Sequence, residues 1–375
     1  MSFLSQPPSL HYLRDAYQSK FLIGTALSVR SLRGEDEGST TVAQNHFNAF
    51  TAENSMKPAL LQPSPGEFHW EEADRLLDLA ESCGAVTVGH TLVWHEQTPR
   101  WFFETPNGAP LNREAALNNM QTHIAAVVGR YRGRVKQWDV VNEAISDEQG
   151  EELRPSPWLQ AVGEEFIAEA FRAAHKADPE AVLIYNDYNI ELSGKRDKTL
   201  RLMKRLLDQE VPVHAVGIQG HWHLDYPALE EIECAIELFA SLGLRVMITE
   251  LDIGVLPAQY QGANIQSRQT LTPEMNPYTE VLPEAVAQQQ AERYEQIFQL
   301  FLRYQTVIDR VSFWGVHDGI SWLNHFPIWG RTDYPLLFDR AYQPKPAFHA
   351  LMGLEDSFSH SSTPLTTMAP TVLAT

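Results

Sequence analysis

The run Arg245-Val-Met-Ile-Thr-Glu-Leu-Asp-Ile253 is an apolar strand core that ends in two carboxylates, Glu250 and Asp252. Alternate side chains of a strand point the same way, so both carboxylates can share one face. Burying a carboxylate at the end of a core strand is costly unless it is paired or put to use, so this run calls for a partner. Val135-Lys-Gln-Trp-Asp-Val-Val-Asn-Glu-Ala144 supplies one, with Asn142 and Glu143 at its end. Two carboxyl groups facing each other across a substrate can divide the breaking of a bond: one gives a proton, the other attacks or activates water. Glu143 and Glu250 are the candidate catalytic pair.

The elements that must position this pair follow from hydrophobic periodicity. Short runs rich in Val, Ile, Phe and Trp predict strands at 21–28, 49–54, 85–94, 135–143, 181–187, 214–221, 245–253 and 310–316. Between them, helical periodicity predicts helices at 71–84, 111–132, 164–176, 193–207, 228–242 and 284–307, with a last one beginning at 346–354. The helix at 193–207 carries a basic outer face, and 256–283 is a long connection, of a length that is usually functional or disordered. Eight strands alternating with helices give a single-domain α/β fold, a (β/α)₈ TIM barrel over residues 1–356. Two doubly wound domains are the alternative, without a glycine-rich phosphate loop or a central linker to support them. Residues 357–375, rich in Ser and Thr and without formal charge, read as a disordered tail.

In such a barrel the site lies at the carboxyl ends of the strands, and the polar residues there are numerous. In chain order the strands end in Glu53-Asn54, then His90, Trp94 and His95, then Asn142-Glu143, Asn186-Asp187, Gln219 and His221, Glu250 and Asp252, and Trp314. Any one could be structural, but seven strands ending this way argue for convergence on a ligand. Paired glutamates with amides, histidines and flat aromatic rings suit cleavage of a glycosidic bond, in which one carboxyl group protonates the leaving oxygen and sugars lie on aromatic faces. A metal-dependent barrel hydrolase using His90, His95, His221 and His223 is a second reading. A catalytically silent sugar-binding barrel is a third.

Composition narrows the partners. With 43 % hydrophobic and 21 % charged residues and no apolar run near the roughly 20 residues of a membrane span, no membrane partner is expected. The balance of 29 Lys+Arg against 48 Asp+Glu, net −19, disfavours nucleic acid and suits a neutral ligand. Only Cys83 and Cys234 are present, which excludes a disulfide framework and a cysteine zinc site.

The runs Phe50-Thr-Ala-Glu-Asn-Ser-Met-Lys57, Gly89-His-Thr-Leu-Val-Trp-His95, Trp138-Asp-Val-Val-Asn-Glu143, Tyr185-Asn-Asp-Tyr-Asn189, Gly217-Ile-Gln-Gly-His221, Ile248-Thr-Glu-Leu-Asp-Ile253 and Phe313-Trp-Gly-Val-His-Asp-Gly-Ile-Ser-Trp322 resemble, in order, those of the family-ten glycoside hydrolases, the endo-1,4-β-xylanases. The resemblance covers roughly residues 12–354. It implies a retaining glycosidase that acts on xylan or xylooligosaccharides and needs no cofactor and no metal. Glu143 matches the acid/base and Glu250 the nucleophile. Asn142 matches the group that bonds the sugar 2-hydroxyl, and His221 with Asp252 the pair that orients the nucleophile. Gln219 and His90 match groups of the cleavage subsite. Glu53, Asn54 and Lys57 match the hydrogen-bonding set for the next sugar, and Trp94, Trp314 and Trp322 the aromatic walls.

Some features depart from the pattern or lie outside it. Gly220 stands where a Thr or Ser is expected. The 256–283 connection, with Tyr260 and Tyr278, is expected to border the aglycone side. Trp329 is either a packed loop aromatic or an extra sugar platform. The start of the chain has no basic segment followed by an apolar one, so a cytoplasmic location is expected unless the true start lies upstream. An enzyme kept inside the cell would meet imported oligomers, which makes preference for short xylooligosaccharides the second reading of the activity.

Overall fold

Val, Ile, Phe and Trp in uninterrupted runs favour strands buried on both faces, as a parallel sheet covered by helices requires. The computed structural model describes residues 12–257, 262, 264–265 and 268–359. Within them the eight runs form strands β1 (Leu22–Leu27), β2 (Ala49–Ala52), β3 (Val86–Val93), β4 (Val135–Asn142), β5 (Val182–Asp187), β6 (Ala215–Ile218), β8 (Arg245–Gly254) and β9 (Ile308–Phe313). A short additional strand, β7 (His221–His223), follows β6 and pairs with the outer end of β8. Every pairing is parallel; β1 joins β9 and β6 joins β8, so the eight long runs close into a barrel. Closure leaves no free edge among them.

The barrel strand that would be a single run from 214 to 221 is broken between Ile218 and His221. Gly220 sits at the break with φ +84°, in the left-handed region that favours glycine, and a methyl group there would come within 3.1 Å of Ile248 Cγ2. That backbone conformation accounts for glycine where Thr or Ser is expected. Gly89 answers a different need, since a methyl group on it would fall 2.1 Å from Cε3 of Trp138, its register partner on β4.

The helix at Glu71–Ser82 buries Ala73, Leu76, Leu77 and Ala80, the apolar face read from the sequence. The helix at Ser193–Asp208 keeps its expected basic outer face only in its second half, where Arg201, Lys204 and Arg205 are exposed; Lys195, Arg196 and Lys198 are instead buried. Each is held by compensating groups, Lys195 by Asp187 and Asp147, Arg196 by Glu231, and Lys198 by the carbonyls of Ser146 and Glu148. A helix at Glu37–His46 completes the strand–helix alternation after β1 and escapes periodicity because only Ser39, Val42 and Ala43 are buried. It is announced instead by its cap, Asp36, whose side chain accepts from the Ser39 amide. The last helix runs Pro346–Ser359, three residues into the expected tail, and residues 360–375 lie outside the described residues. No helix among the described residues is long and apolar enough to cross a membrane.

Gly89→Ala should force the Trp138 indole off its seat and destabilise the barrel by about 1–3 kcal/mol, the usual penalty of overpacking. Urea unfolding of the two proteins measures it; equal midpoints would mean that the indole moves freely.

Candidate active site

The carboxyl ends of the strands open into a cleft of about 720 Å³ lined by Glu53, Asn54, Lys57, His90, Trp94, Asn142, Glu143, Gln219, His221, Glu250, Asp252, Trp314 and Trp322. All the residues singled out from strand ends and motifs as catalytic, supporting or sugar-binding therefore meet in one place. Of the strand-end residues, His95, Asn186 and Asp187 do not line the cleft; burial lowers the His95 imidazole to about 3, with further downward push from Arg154.

Glu143 directly follows β4, and its backbone adopts φ +56°, a left-handed conformation that costs a non-glycine residue about 1–2 kcal/mol. Two bonds hold it there: its amide donates to Asn186 O at 2.9 Å and its carbonyl accepts from Arg154 Nε at 3.0 Å. The side chain is fixed as well. Trp94 Nε1 donates to Oε2 at 2.8 Å, and Gln219 Nε2 donates to Oε1 at 2.9 Å. Trp94, expected only as a wall, is thus also a ligand of the carboxylate.

Glu250, on β8, accepts from Asn186 Nδ2 at 2.8 Å on Oε1 and from His221 Nε2 at 3.3 Å on Oε2. The other ring nitrogen of His221 lies 3.0 Å from Asp252 Oδ2, which also accepts from Trp322 Nε1 at 2.8 Å. A carboxylate on each ring nitrogen calls for an N–H on each, hence an imidazolium. Burial opposes that charge, but Asp252 and Glu250 outweigh it and push His221 up to about 10. Burial would likewise raise Glu250; the His221 hydrogen bond, the neighbouring His90 and Asn186 overcome it and hold the carboxyl below its usual range. The two glutamates are connected through amides, because Asn142 Oδ1 accepts from both Asn186 (2.8 Å) and Gln219 (3.4 Å).

The acid-rich mouth has buried counter-charges. Lys57 Nζ donates to Asn54 Oδ1 at 3.0 Å and lies 4.9 Å from the centre of the Trp94 ring. Burial depresses its ammonium while Glu250, Glu53 and Glu143 pull it back up. Burial raises the Glu53 carboxyl against Lys57 and Asn54. Beneath the cleft, Arg310 is wholly buried, bonded to Gln137 and Ser312, with its charge toward Asp139 and Glu250. Asp139 in turn holds His90 Nδ1 at 2.9 Å.

Sequence reasoning did not assign Asn186 its place between the catalytic pair, although the strand-end pattern included it. It missed Arg154, Asp147 and Lys195, which lie behind Glu143 in a network with Tyr188 and Asp187. Nothing in the spacing of those residues sets them apart from surface charges. For the metal reading, both ring nitrogens of His221 are already engaged by carboxylates, Glu250 at 3.3 Å and Asp252 at 3.0 Å. Among the described residues no three His, Cys, Asp or Glu side chains are grouped to hold a metal ion. Trp329 is not packed: it is 69 % exposed and lines the cleft. From the long connection, Gly262, Ile265 and Arg268 line the cleft too, while Tyr260 lies outside the described residues.

A parallel barrel whose mouth sets two carboxyl groups among tryptophans and amides defines the class of barrel glycoside hydrolases. The chain belongs to glycosyl hydrolase family 10, whose model matches residues 12–354. It is 44 % identical to an endo-1,4-β-xylanase of Geobacillus stearothermophilus over 92 % of this chain and 99 % of the relative. It is 42 % identical to endo-1,4-β-xylanase B of Paenibacillus barcinonensis, covering 91 % and 97 % respectively. Among solved structures, a family-10 endoxylanase retrieved from a sugarcane soil metagenome superposes with TM-score 0.88 at 44 % identity, over 91 % of this chain and 99 % of that one.

The His221 ion pairs stabilise the fold in a defined pH window. With its pKa raised from 6.5 to about 10, His221 contributes fully below pH 6.5 and loses its contribution as pH rises through 10. Glu250, lowered from 4.5, contributes above that value and loses its contribution as pH falls through the depressed pKa. Asp252→Asn removes the largest charge favouring the imidazolium. NMR titration should find His221 deprotonating at lower pH in this variant than in the parent; an unaltered titration would mean that Asp252 does not set the charge state.

Proposed function

We propose that the protein is an endo-1,4-β-xylanase that hydrolyses internal bonds of xylan and xylooligosaccharides with retention, through a covalent glycosyl-enzyme. The observation that carries this reading is the pairing of Glu143 and Glu250 across one cleft, each held by its own donors and linked through Gln219, Asn142 and Asn186. The near full-length relatives named endo-1,4-β-xylanase support the substrate.

In the first step Glu143, protonated, gives its proton to the glycosidic oxygen as the bond from that oxygen to the anomeric carbon breaks. Glu250 Oε forms the new bond to that carbon, and its depressed pKa keeps it ionised for the attack. In the second step Glu143, now a carboxylate, takes a proton from water. The water oxygen displaces Glu250 from the anomeric carbon, which returns both side chains to their starting states. Asn142 receives the sugar 2-hydroxyl, a bond that strengthens as positive charge develops on the ring. Glu53, Asn54 and Lys57 hold the next sugar out. Trp94, Trp314 and Trp322 form the aromatic walls, which favour a pentose by excluding the hydroxymethyl arm of glucose.

Glu143→Ala should lower turnover on xylan by about 10²–10⁴-fold, the usual worth of a positioned acid or base. Glu250→Ala should abolish it. Azide separates the roles: the Glu143 variant should yield a β-xylosyl azide and the Glu250 variant the α product, read by NMR of the anomeric proton. An α product from the Glu143 variant would reject the assignment.

A further inference from the structure

Trp329 is a cleft aromatic to which neither catalysis nor packing gives a role. Among the described residues it is the only tryptophan that is mainly exposed, at 69 %. Leaving an indole in water forgoes roughly 1.5–3 kcal/mol of burial, so the position is informative.

The loop that carries it is anchored on both sides. Ile328 is fully buried and bridges to Gln269 of the preceding long connection. Gly330 N donates to Asn324 O at 3.0 Å, and the buried Arg331 donates through Nη2 to Pro257 O at 2.9 Å. Phe326 stacks on Trp322 with ring centres 5.4 Å apart and planes at 19°, tying the loop to the aromatic wall beside Asp252. Neighbours so fixed give Trp329 a defined direction. Its ring lies 4.5 Å from that of His325, at 30°, which backs one face and leaves the rest to the cleft.

A flat apolar ring, backed by another ring and opening into a polysaccharide cleft, suits the C–H face of a pyranose. We propose that Trp329 is an additional sugar platform, taking one xylosyl ring of a chain long enough to reach the rim formed by residues 325–331. This rests on the xylanase reading and adds to it a cause of chain-length preference. The platform acts through binding, from a loop rather than from the strand ends that carry the carboxylates, so it favours long substrates over short ones.

The test compares the parent enzyme with Trp329→Ala and Trp329→Tyr on linear xylooligosaccharides from the trimer to the hexamer. In Trp329→Ala the ratio of kcat/KM on the hexamer to that on the trimer should fall about five- to tenfold, the scale of one aromatic contact. The loss should appear in KM, and Tyr should restore most of it. A ratio that does not change, or an equal loss at every length, overturns the platform. A parent enzyme that cleaves none of these oligosaccharides would instead reject the xylanase reading itself.

Discussion

The structure depends on one buried interaction, the His221 imidazolium held between Glu250 and Asp252. Two carboxylates two residues apart on one strand face cannot both stay ionised in a dry site without a cation between them. His221 is that cation. It comes from the short strand β7, which pairs with the end of β8, so the sheet itself sets the histidine opposite the two acids. The left-handed turn at Gly220 makes that pairing possible.

Around this centre the barrel solves a charge problem. Glu143, Glu250, Asp252 and Asp139 are buried at this mouth beside the half-buried Glu53, and the buried Lys57 and Arg310 and the half-buried His221 stand among them. Removing one member would leave the others uncompensated, a larger loss than the pair itself contributes. Glu143 shows the same economy in its backbone. The strain of φ +56° persists because the Asn186 carbonyl, Arg154, Trp94 and Gln219 fix it from four directions.

Much of this was legible beforehand, for a reason that particular residues make plain. Glu250 and Asp252 are two apart on a strand, and a period of two places both on one face whatever surrounds them. The helix at Glu71–Ser82 likewise shows its apolar stripe in four residues. The helix at Glu37–His46 does not, because it packs through small and polar residues. Lys195 and Lys198 misled, since a lysine buried against Asp187 or a row of carbonyls is indistinguishable in sequence from one in water.

The sequence by itself determined the eightfold alternation, the identity of the strand-end acids and amides, and their meeting at one mouth. Periodicity and turn chemistry are local, and closure of a parallel barrel follows from them. Only the tertiary structure decided which donor meets which oxygen: that Trp94 bonds Glu143, that Asn186 stands between the two glutamates, and that Trp329 faces the cleft. Those outcomes depend on distances between residues up to 77 positions apart in the chain, and no local pattern encodes them. The two carboxylates of Glu250 and Asp252 look alike in sequence; what distinguishes them is which side of His221 each one faces.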